Sequence, residues 1–410
     1  MHLLCIEPRF PGRLGAVVDW LVRRRGWRCR FYCTAAEPKD YWPASVGKGL
    51  EVVPYTAGGV ARESAVAWHR CLERGLCYAY GCWETLEKQR PRPVDLVLGR
   101  SAGLGSTLFV PNYQPGVPII NLFDYYYHPH EHDVAAEVAE LPPSYFHWRQ
   151  AANAMDLLDL ENGVVPWTLS AWQRDLYPPA YHESFMVMPD GVDTHRFHPG
   201  PRDKPLTFAG RTLPDDAKLV TFSALALDRL RGFDRFLELA NRLLHARNDV
   251  ICAVVGNPVV QRGLDVQFFH QDYRAHLLAA TPAHDPERLW FLGNVPQSDL
   301  AALLARSDLH VYPSRPFPVG RSLLEALASG CVVLAANTEP VREVLTDEID
   351  SLLASPGDLE EWERRALQVL DHPERYRLLG QRATALVRDR FSQEVAMPKL
   401  AKWFSAVAGG

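Results

Sequence analysis

Glu325 and the loop before it carry the densest chemical signal in the chain. Residues 310–334 read HVYPSRPFPVGRSLLEALASGCVVL. An apolar run ends in Pro-Ser, a turn rich in Pro and Gly follows, and a helix start leads to a small-residue stop at Ser329-Gly330 and a second apolar run. That is strand, loop, helix and strand within about one βαβ unit. The amides of Val319, Gly320 and Arg321 fall at the helix start, where unpaired N–H groups and the helix dipole favour a phosphate. Glu325 lies one turn further in, where a carboxylate can hold the hydroxyls of a ribose. An anion site beside a sugar site suggests a nucleotide-sugar. An ordinary βαβ crossover explains the segment equally well.

Other residues have types and spacing that bear on the same chemistry. Arg231-Gly232-Phe233 follows a strand pattern and opens a helix. Arg231 could bind a diphosphate bidentately, or be a solvated helix-start arginine. Phe291-Leu292-Gly293-Asn294-Val295 follows another strand, and its backbone could take up a base edge; a plain strand-to-helix turn also fits. Pro8-Arg9-Phe10-Pro11-Gly12-Arg13-Leu14 follows the first strand, and Gly12 lets the backbone approach a bound group. Asp190-Gly191-Val192-Asp193 alone is a tight turn.

Asn121 to Asp133, NLFDYYYHPHEHD, follows a first-half strand and should overlook a crevice at the strand ends. His128, His130 and His132 could bind a metal, yet alternation in a Pro-containing loop does not fix them on one face. An acceptor-binding loop and a solvated loop are the other readings. Asp124 and Arg100, each at a strand end, are candidates for contact with acceptor or donor sugar, although Asp124 could merely cap the loop. Arg23-Arg24-Arg25 with Arg28 and Arg30 could meet anionic lipid; cations also suit a helix C-terminus.

The elements that position these residues alternate along the chain. Strand patterns cover residues 2–6, 29–33, 94–99, 117–123 and 164–169. Helical spacing covers 14–22, about 62–89 and 148–160, and Ser170 reads as an N-cap for 171–176. Residues 198–218 are rich in Pro, Gly and charge and read as a linker. A second series follows, with strands at 219–222, 249–255, 289–292 and 308–312 and a helix at 298–305. The last sixty or so residues are mostly helical in pattern. Two α/β series joined by a linker imply two doubly wound domains facing across a cleft.

Bulk properties narrow the class. The 410 residues suffice for two domains with their own cores. Apolar residues make up 47% and charged residues 23%, as in ordinary soluble proteins. A net charge of −5 gives no sign of bulk nucleic-acid binding. No run approaches the roughly 18 apolar residues of a membrane span, and the first residues read as a strand rather than a signal peptide. The eight cysteines are scattered without CxxC, which suggests buried free thiols in a reducing cytoplasm.

Taken in order, these motifs resemble glycosyltransferase family 4, the retaining enzymes of the GT-B fold. The matching residues are Phe10-Pro11-Gly12, Asp190-Gly-Val-Asp193, Arg231-Gly232-Phe233, Phe291-Leu-Gly-x-Val295, Ser307-Asp308-Leu309, and Pro313-Ser314 leading to Glu325-Ala-Leu-Ala-Ser-Gly330. Pro316-Phe317, Ser322-Leu-Leu-Glu325 and Glu339-Pro-Val-Arg-Glu343 are similar to a subgroup associated with bacterial surface polysaccharides. So are Gly103-Leu104-Gly105 and the acidic-aromatic run Asp124-Tyr125-Tyr126-Tyr127.

The resemblance implies two facing Rossmann-like domains: 1–197 on the acceptor side, 219–385 for the nucleotide-sugar, and a C-terminal helix at 386–410 packing back on the first domain. It implies a metal-independent retaining transferase, working without a cofactor, that moves a hexose or deoxyhexose from a nucleoside diphosphate sugar to a glycan, lipid-linked or other hydroxyl acceptor. Glu325 would hold the ribose. Arg231, helped by Arg229, and the amides of Val319, Gly320, Arg321 and Ser322 would hold the diphosphate. Leu292, Gly293, Val295 and Gly12 would complete the donor site. Localisation would be cytoplasmic, with peripheral membrane association and no nucleic-acid partner.

The chain departs from the family pattern in three places. Phe317 stands where family members commonly have a glutamate eight positions before Glu325. Leu225 and Ala226 stand where an arginine often precedes the residue matched by Arg231. Arg100 stands where the family often has a histidine. These departures keep a non-catalytic nucleotide-sugar-binding subunit as an alternative. A dinucleotide-dependent oxidoreductase is the other rival, but the third glycine of that fingerprint would fall at Leu108.

Overall fold

The computed structural model describes the chain except residues 40–41, 59–65, 102–103, 136–137, 202–205, 209, 260–271 and 410. The chain divides into two compact units. One comprises Met1–Asp190 with Ala396–Gly410, and the other Gly191–Val395.

In the first unit, strands His2–Ile6 and Leu96–Arg100 are buried along most of their length, as strands covered by helices on both faces must be, whereas Arg28–Cys33 carries Arg28 and Arg30 on one face. They belong to a seven-stranded parallel sheet. Its order is Leu50–Pro54, Arg28–Cys33, His2–Ile6, Leu96–Arg100, Ile119–Leu122, Val165–Thr168, Met186–Val187. Register pairs Cys5 with Phe31 on one side and Leu98 on the other. The winding reverses between His2–Ile6 and Leu96–Arg100. The first helix, Leu14–Arg25, buries Leu14, Val17, Val18 and Leu21 and stops at Gly26, whose φ of 67° suits a left-handed cap. The last helix, Gln393–Gly409, contributes Met397, Leu400, Ala401 and Phe404 to the core of this unit.

The second unit has a six-stranded parallel sheet. Its order is Leu289–Gly293, Val250–Asn257, Lys218–Ala226, Leu309–Tyr312, Val333–Ala336, Leu352–Ala354. Its winding reverses between Lys218–Ala226 and Leu309–Tyr312. The amphipathic helices Phe233–Ala246 and Leu359–Asp371 cover one face, burying Phe236, Leu243, Trp362 and Val369 in the main core. His310, in the middle of the sheet, is fully buried; burial pushes its imidazole down to about 3, so it is neutral and structural.

Several expectations change. The helix read at 148–160 is two helices, Pro143–Ala152 and Ala154–Glu161. Asn153 lies between them, and its side chain bonds the Tyr127 amide and carbonyl at 2.8 and 2.9 Å. Periodicity could not reveal that tether. The helix read from about residue 62 is Ala67–Gln89, and residues 62–65 lie outside the described ones. Part of the segment read as a linker forms a hairpin, Thr207–Phe208 with Arg211–Thr212, and Phe208 and Leu213 are buried in a second-unit cluster; residues 202–205 and 209 lie outside the described set. Gly103 of the Gly-Leu-Gly turn does as well. All eight cysteines are free, but Cys71 and Cys77 are only half-buried, on one long helix. Among the described residues, no helix is long and apolar enough to cross a membrane.

Candidate functional site

Open α/β sheets bind ligands where the winding reverses, outside the carboxyl ends of the strands. In the second unit that point lies between the loops after Ala226 and Tyr312, and the two loops are bolted together. The Arg231 amide donates to Asp228 Oδ1 at 2.8 Å. Arg315 bonds both Asp234 carboxylate oxygens at 3.1 and 2.9 Å, donates to the Arg229 carbonyl, and sends its amide to Leu230 O at 3.1 Å. The Ser314 hydroxyl donates to the same Leu230 oxygen. Gly232 has φ 74°, and a Cβ there would stand 2.0 Å from Pro313 O. Only glycine allows this approach.

The Arg231 guanidinium rests on this platform. Nη1 donates to Pro318 O at 2.9 Å and lies 3.5 Å from the Tyr312 hydroxyl. Its carbon is 5.1 Å from the centre of the Phe317 ring, a cation–π distance. A Cβ at Gly320 would come within 3.3 Å of Arg231 Nη1, so the bare Gly320 backbone borders the cation directly. Helix Arg321–Ala328 starts here, and Gly320 caps it without a side-chain hydrogen bond. Glu325, one turn in, is 8% exposed.

Two details depart from the expected phosphate cradle. The Gly320 amide is already bonded to the Tyr312 hydroxyl at 2.9 Å, so it would have to give up that bond to serve a phosphate. The Arg229 guanidinium carbon lies 5.8 Å from the Tyr273 ring centre, a stacking contact that accounts for its position. Leu292 and Val295 pack partly into an apolar cluster. The backbone at Gly293, at φ 66°, has open space where a Cβ would stand. Tyr312, Asp228 and Arg315 were not singled out from the sequence. Their signal was position: each lies at or just after the carboxyl end of a central strand.

The reversal point of the first unit is a closed electrostatic network. Glu7, which sequence reasoning missed, ends the first strand and is 1% exposed. Its carboxylate accepts the amides of Arg13 and Leu14 at 3.0 and 2.8 Å, capping the first helix, and Arg100 Nη1 at 2.8 Å. Arg100 also donates twice to Asp124 Oδ2, from Nε at 2.8 Å and from Nη2. Burial works against the Arg100 cation, but the Asp124 and Glu7 carboxylates outweigh it and keep the guanidinium charged. Gly12, at φ 55°, is needed because a Cβ would fall 2.4 Å from the Arg9 carbonyl and the Glu7 carboxylate. A bare Gly12 thus admits the Glu7 carboxylate. Arg13 forks onto buried Asp190 at 2.9 and 3.2 Å.

Behind this network lies a buried acidic pair. The Ser101 hydroxyl is 2.6 Å from Asp156 Oδ1 and 2.8 Å from Asp159 Oδ2. Asn121 also donates to Asp159, at 3.1 Å. Burial pushes the Asp159 carboxyl up to about 7; the Ser101 bond lowers it and the Asp156 charge raises it further. The histidine loop is ordered by Arg149, which is fully buried and grips both Asp133 oxygens at 3.0 and 2.8 Å. The loop gathers His128, Glu131 and His132, while His130 is exposed and its ring packs on Phe146 at 4.5 Å. The three histidines do not share one face; Glu131 stands with His128 and His132 instead of His130.

Two doubly wound parallel sheets of this order, with a C-terminal helix completing the first unit, define the GT-B fold. Anabaena HepE in complex with UDP-glucose matches over 99% of this chain and 100% of that one, with TM-score 0.69 and 17% identity. Sucrose-phosphate synthase from Thermosynechococcus elongatus matches over 99% of both chains, with TM-score 0.67 and 15% identity. Two family models match in succession: the glycosyl transferase family 4 group over residues 25–197, and glycosyl transferases group 1 over residues 203–386. The chain belongs to glycosyltransferase family 4. Among curated relatives, D-inositol 3-phosphate glycosyltransferase of Segniliparus rotundus is 30% identical over 231 residues, covering 55% of this chain and 47% of that protein. The 2-deoxystreptamine glucosyltransferase of Streptomyces kanamyceticus is 25% identical over 225 residues, covering 55% and 53%. The chain spans about half the length of these curated relatives.

Proposed function

We propose that the protein is a retaining glycosyltransferase that moves a hexose or deoxyhexose from a nucleoside diphosphate sugar to an acceptor hydroxyl. The observation that carries this reading is Arg231, held over Phe317 and against Pro318 O at the reversal point of the second sheet, beside the start of the helix that bears Glu325. A fixed cation at a helix start suits the diphosphate, whose developing charge is the main electrostatic demand of nucleotide departure. The amides of Val319, Arg321 and Ser322 at the helix start add donors, and Glu325 accepts from the ribose hydroxyls. The nucleotide leaves from the face that the acceptor attacks, without a covalent enzyme intermediate and without a metal at the diphosphate. HepE in complex with UDP-glucose supports a uridine donor as the first probe. Lipid-linked glycans of the cell surface are the acceptor class we assign, with cytoplasmic work at the membrane face. Arg23, Arg24 and Arg25 in the last turn of the first helix supply the basic patch for that contact.

One observation favours a second reading, a nucleotide-sugar-binding subunit without activity. Phe317 offers Arg231 a ring where family members commonly have a carboxylate. Incubation of the purified protein with UDP-glucose and other nucleoside diphosphate sugars distinguishes them. Release of the diphosphate, by transfer or by hydrolysis, is expected; tight binding with no release over long incubation would establish the second reading.

A further inference from the structure

We propose that His128, Glu131 and His132 form a site for one divalent transition-metal ion, which ties down the loop after strand Ile119–Leu122. The donor atoms are already gathered. Glu131 Oε2 lies 3.9 Å from His128 Nδ1 and 3.8 Å from His132 Nε2, and all three lie within 4.8 Å of one another. Tetrahedral coordination with bonds of about 2.0–2.2 Å sets its donors roughly 3.3–3.6 Å apart. Closure needs shifts on the order of an ångström or less, and the Glu131 side chain, 68% exposed, has room to make them.

The surroundings orient the ligands as metal-binding imidazoles are oriented. His128 Nε2 is 2.8 Å from Leu176 O. A carbonyl only accepts, so Nε2 is the donor there and Nδ1 is the atom left facing Glu131. A second hydrogen bond of this kind fixes tautomer and ring direction at metal sites. The backbone is held as well. Arg149 Nε donates to His128 O at 2.7 Å, while its other nitrogens grip Asp133, the residue after His132. Tyr125 adds a bond to Asp133 at 2.5 Å. His132 itself is held at φ 58°, a left-handed conformation uncommon outside glycine. Its ring lies 5.2 Å from that of His128 and 5.7 Å from Trp172.

Two imidazoles and one carboxylate suit zinc, cobalt or nickel rather than magnesium or calcium, which prefer oxygen donors. A fourth position is left for water. The ion would act as a positioning device. Helix Ala171–Asp175 supplies Trp172 against His132 and Gln173 to the Asp124 carbonyl at 2.7 Å, and its cap Leu176 holds His128. Binding there therefore stiffens the segment from Asp124 to His132. This inference does not depend on the donor site in the second unit.

Cobalt(II) titration of the full chain, stripped with chelator and dialysed, tests it. Saturation at about one ion per chain, with visible absorption bands that zinc abolishes by displacement, is expected. Glu131→Gln should weaken binding at least about tenfold, as should His128→Ala and His132→Ala, while His130→Ala should stay within about twofold. Glu131 is exposed, so its variant keeps the fold and remains informative should a histidine variant fail to fold. Absence of saturable binding, unchanged affinity in Glu131→Gln, or an equal loss in His130→Ala would each overturn the site and leave a surface ion pair.

Discussion

The two sheets reverse their winding at equivalent points and fill those points in opposite ways. In the first unit, Arg100 is spent on Glu7 and Asp124, and Glu7 is spent again on the first helix. In the second, Arg231 rests on one carbonyl and an aromatic ring, and its guanidinium has no carboxylate partner among the described residues. A guanidinium between two carboxylates has little electrostatic reach left for a ligand, because its charge is already neutralised at short range. One over an aromatic face keeps most of its charge for an incoming anion. The comparison teaches that similar frames supply both a structural clasp and an anion seat, and that the local carboxylate count separates them. On this ground we propose that the sequence-level candidates Asp124 and Arg100 act as positioning groups and that Arg231 is the diphosphate ligand.

The comparison can be broken first at Glu7. Glu7→Ala removes a buried partner of Arg100 and the cap of the first helix, which should cost about 3–5 kcal/mol. Thermal melting should fall by roughly 6–20 °C, while UDP affinity measured by calorimetry stays near the parent value. A large loss of UDP binding at unchanged melting temperature would reverse the assignment of roles.

Arg231→Ala should do the opposite. Losing charge-assisted hydrogen bonds costs about 1.5–3 kcal/mol, or about 10- to 100-fold in Kd for UDP. Uridine should bind nearly as before, and the gap should widen at low salt. Equal losses for UDP and uridine would remove Arg231 from the diphosphate site.

Glu325→Gln preserves volume at a nearly buried position, so helix Arg321–Ala328 should keep its packing. The nucleotide should bind about tenfold more weakly, near 1.4 kcal/mol, and the deoxyribose analogue should lose less. If UDP affinity is unaltered, Glu325 does not hold the ribose.

A smaller effect separates the units by pH. The Asp159 carboxyl is raised in the folded state from 3.8 to about 7. A raised carboxyl favours folding in its protonated form. Its contribution is complete below pH 4 and is lost as pH rises through about 7, on the order of 1 kcal/mol per pH unit within that window. The first unit should therefore melt progressively lower between pH 5 and pH 7.5, and Asp159→Asn should flatten the trend. A trend that persists in the variant assigns it to other groups.

The smallest expected effect is none. UDP affinity should survive EDTA, since a cation and a helix start do the work of a metal at the diphosphate. Loss of UDP binding on chelation, restored by a divalent ion, would require a metal in the second unit.

Much of the architecture could be read from local pattern. The strand at 308–312 and the helix opened by Arg231-Gly232-Phe233 were visible because runs of apolar residues end at turn residues. The short strands Leu50–Pro54 and Leu352–Ala354 escaped notice, since a few residues carry little periodicity. The site was legible in part. Arg231 and Glu325 stood out by type and spacing, whereas Glu7 and Tyr312 looked like any residues at a strand end.

By itself, the sequence determined the alternation of strands and helices, the glycines that close approach demands, and the family to which their order belongs. Those properties reside in neighbours along the chain, where propensity and turn geometry act. Only the tertiary structure decided which charges meet. Arg100 finds Glu7 across 93 positions, Arg231 finds Pro318 across 87, and His128 and His132 gather with Glu131 rather than with His130. Electrostatic partners depend on distances of a few ångströms between remote segments, and no local pattern encodes them.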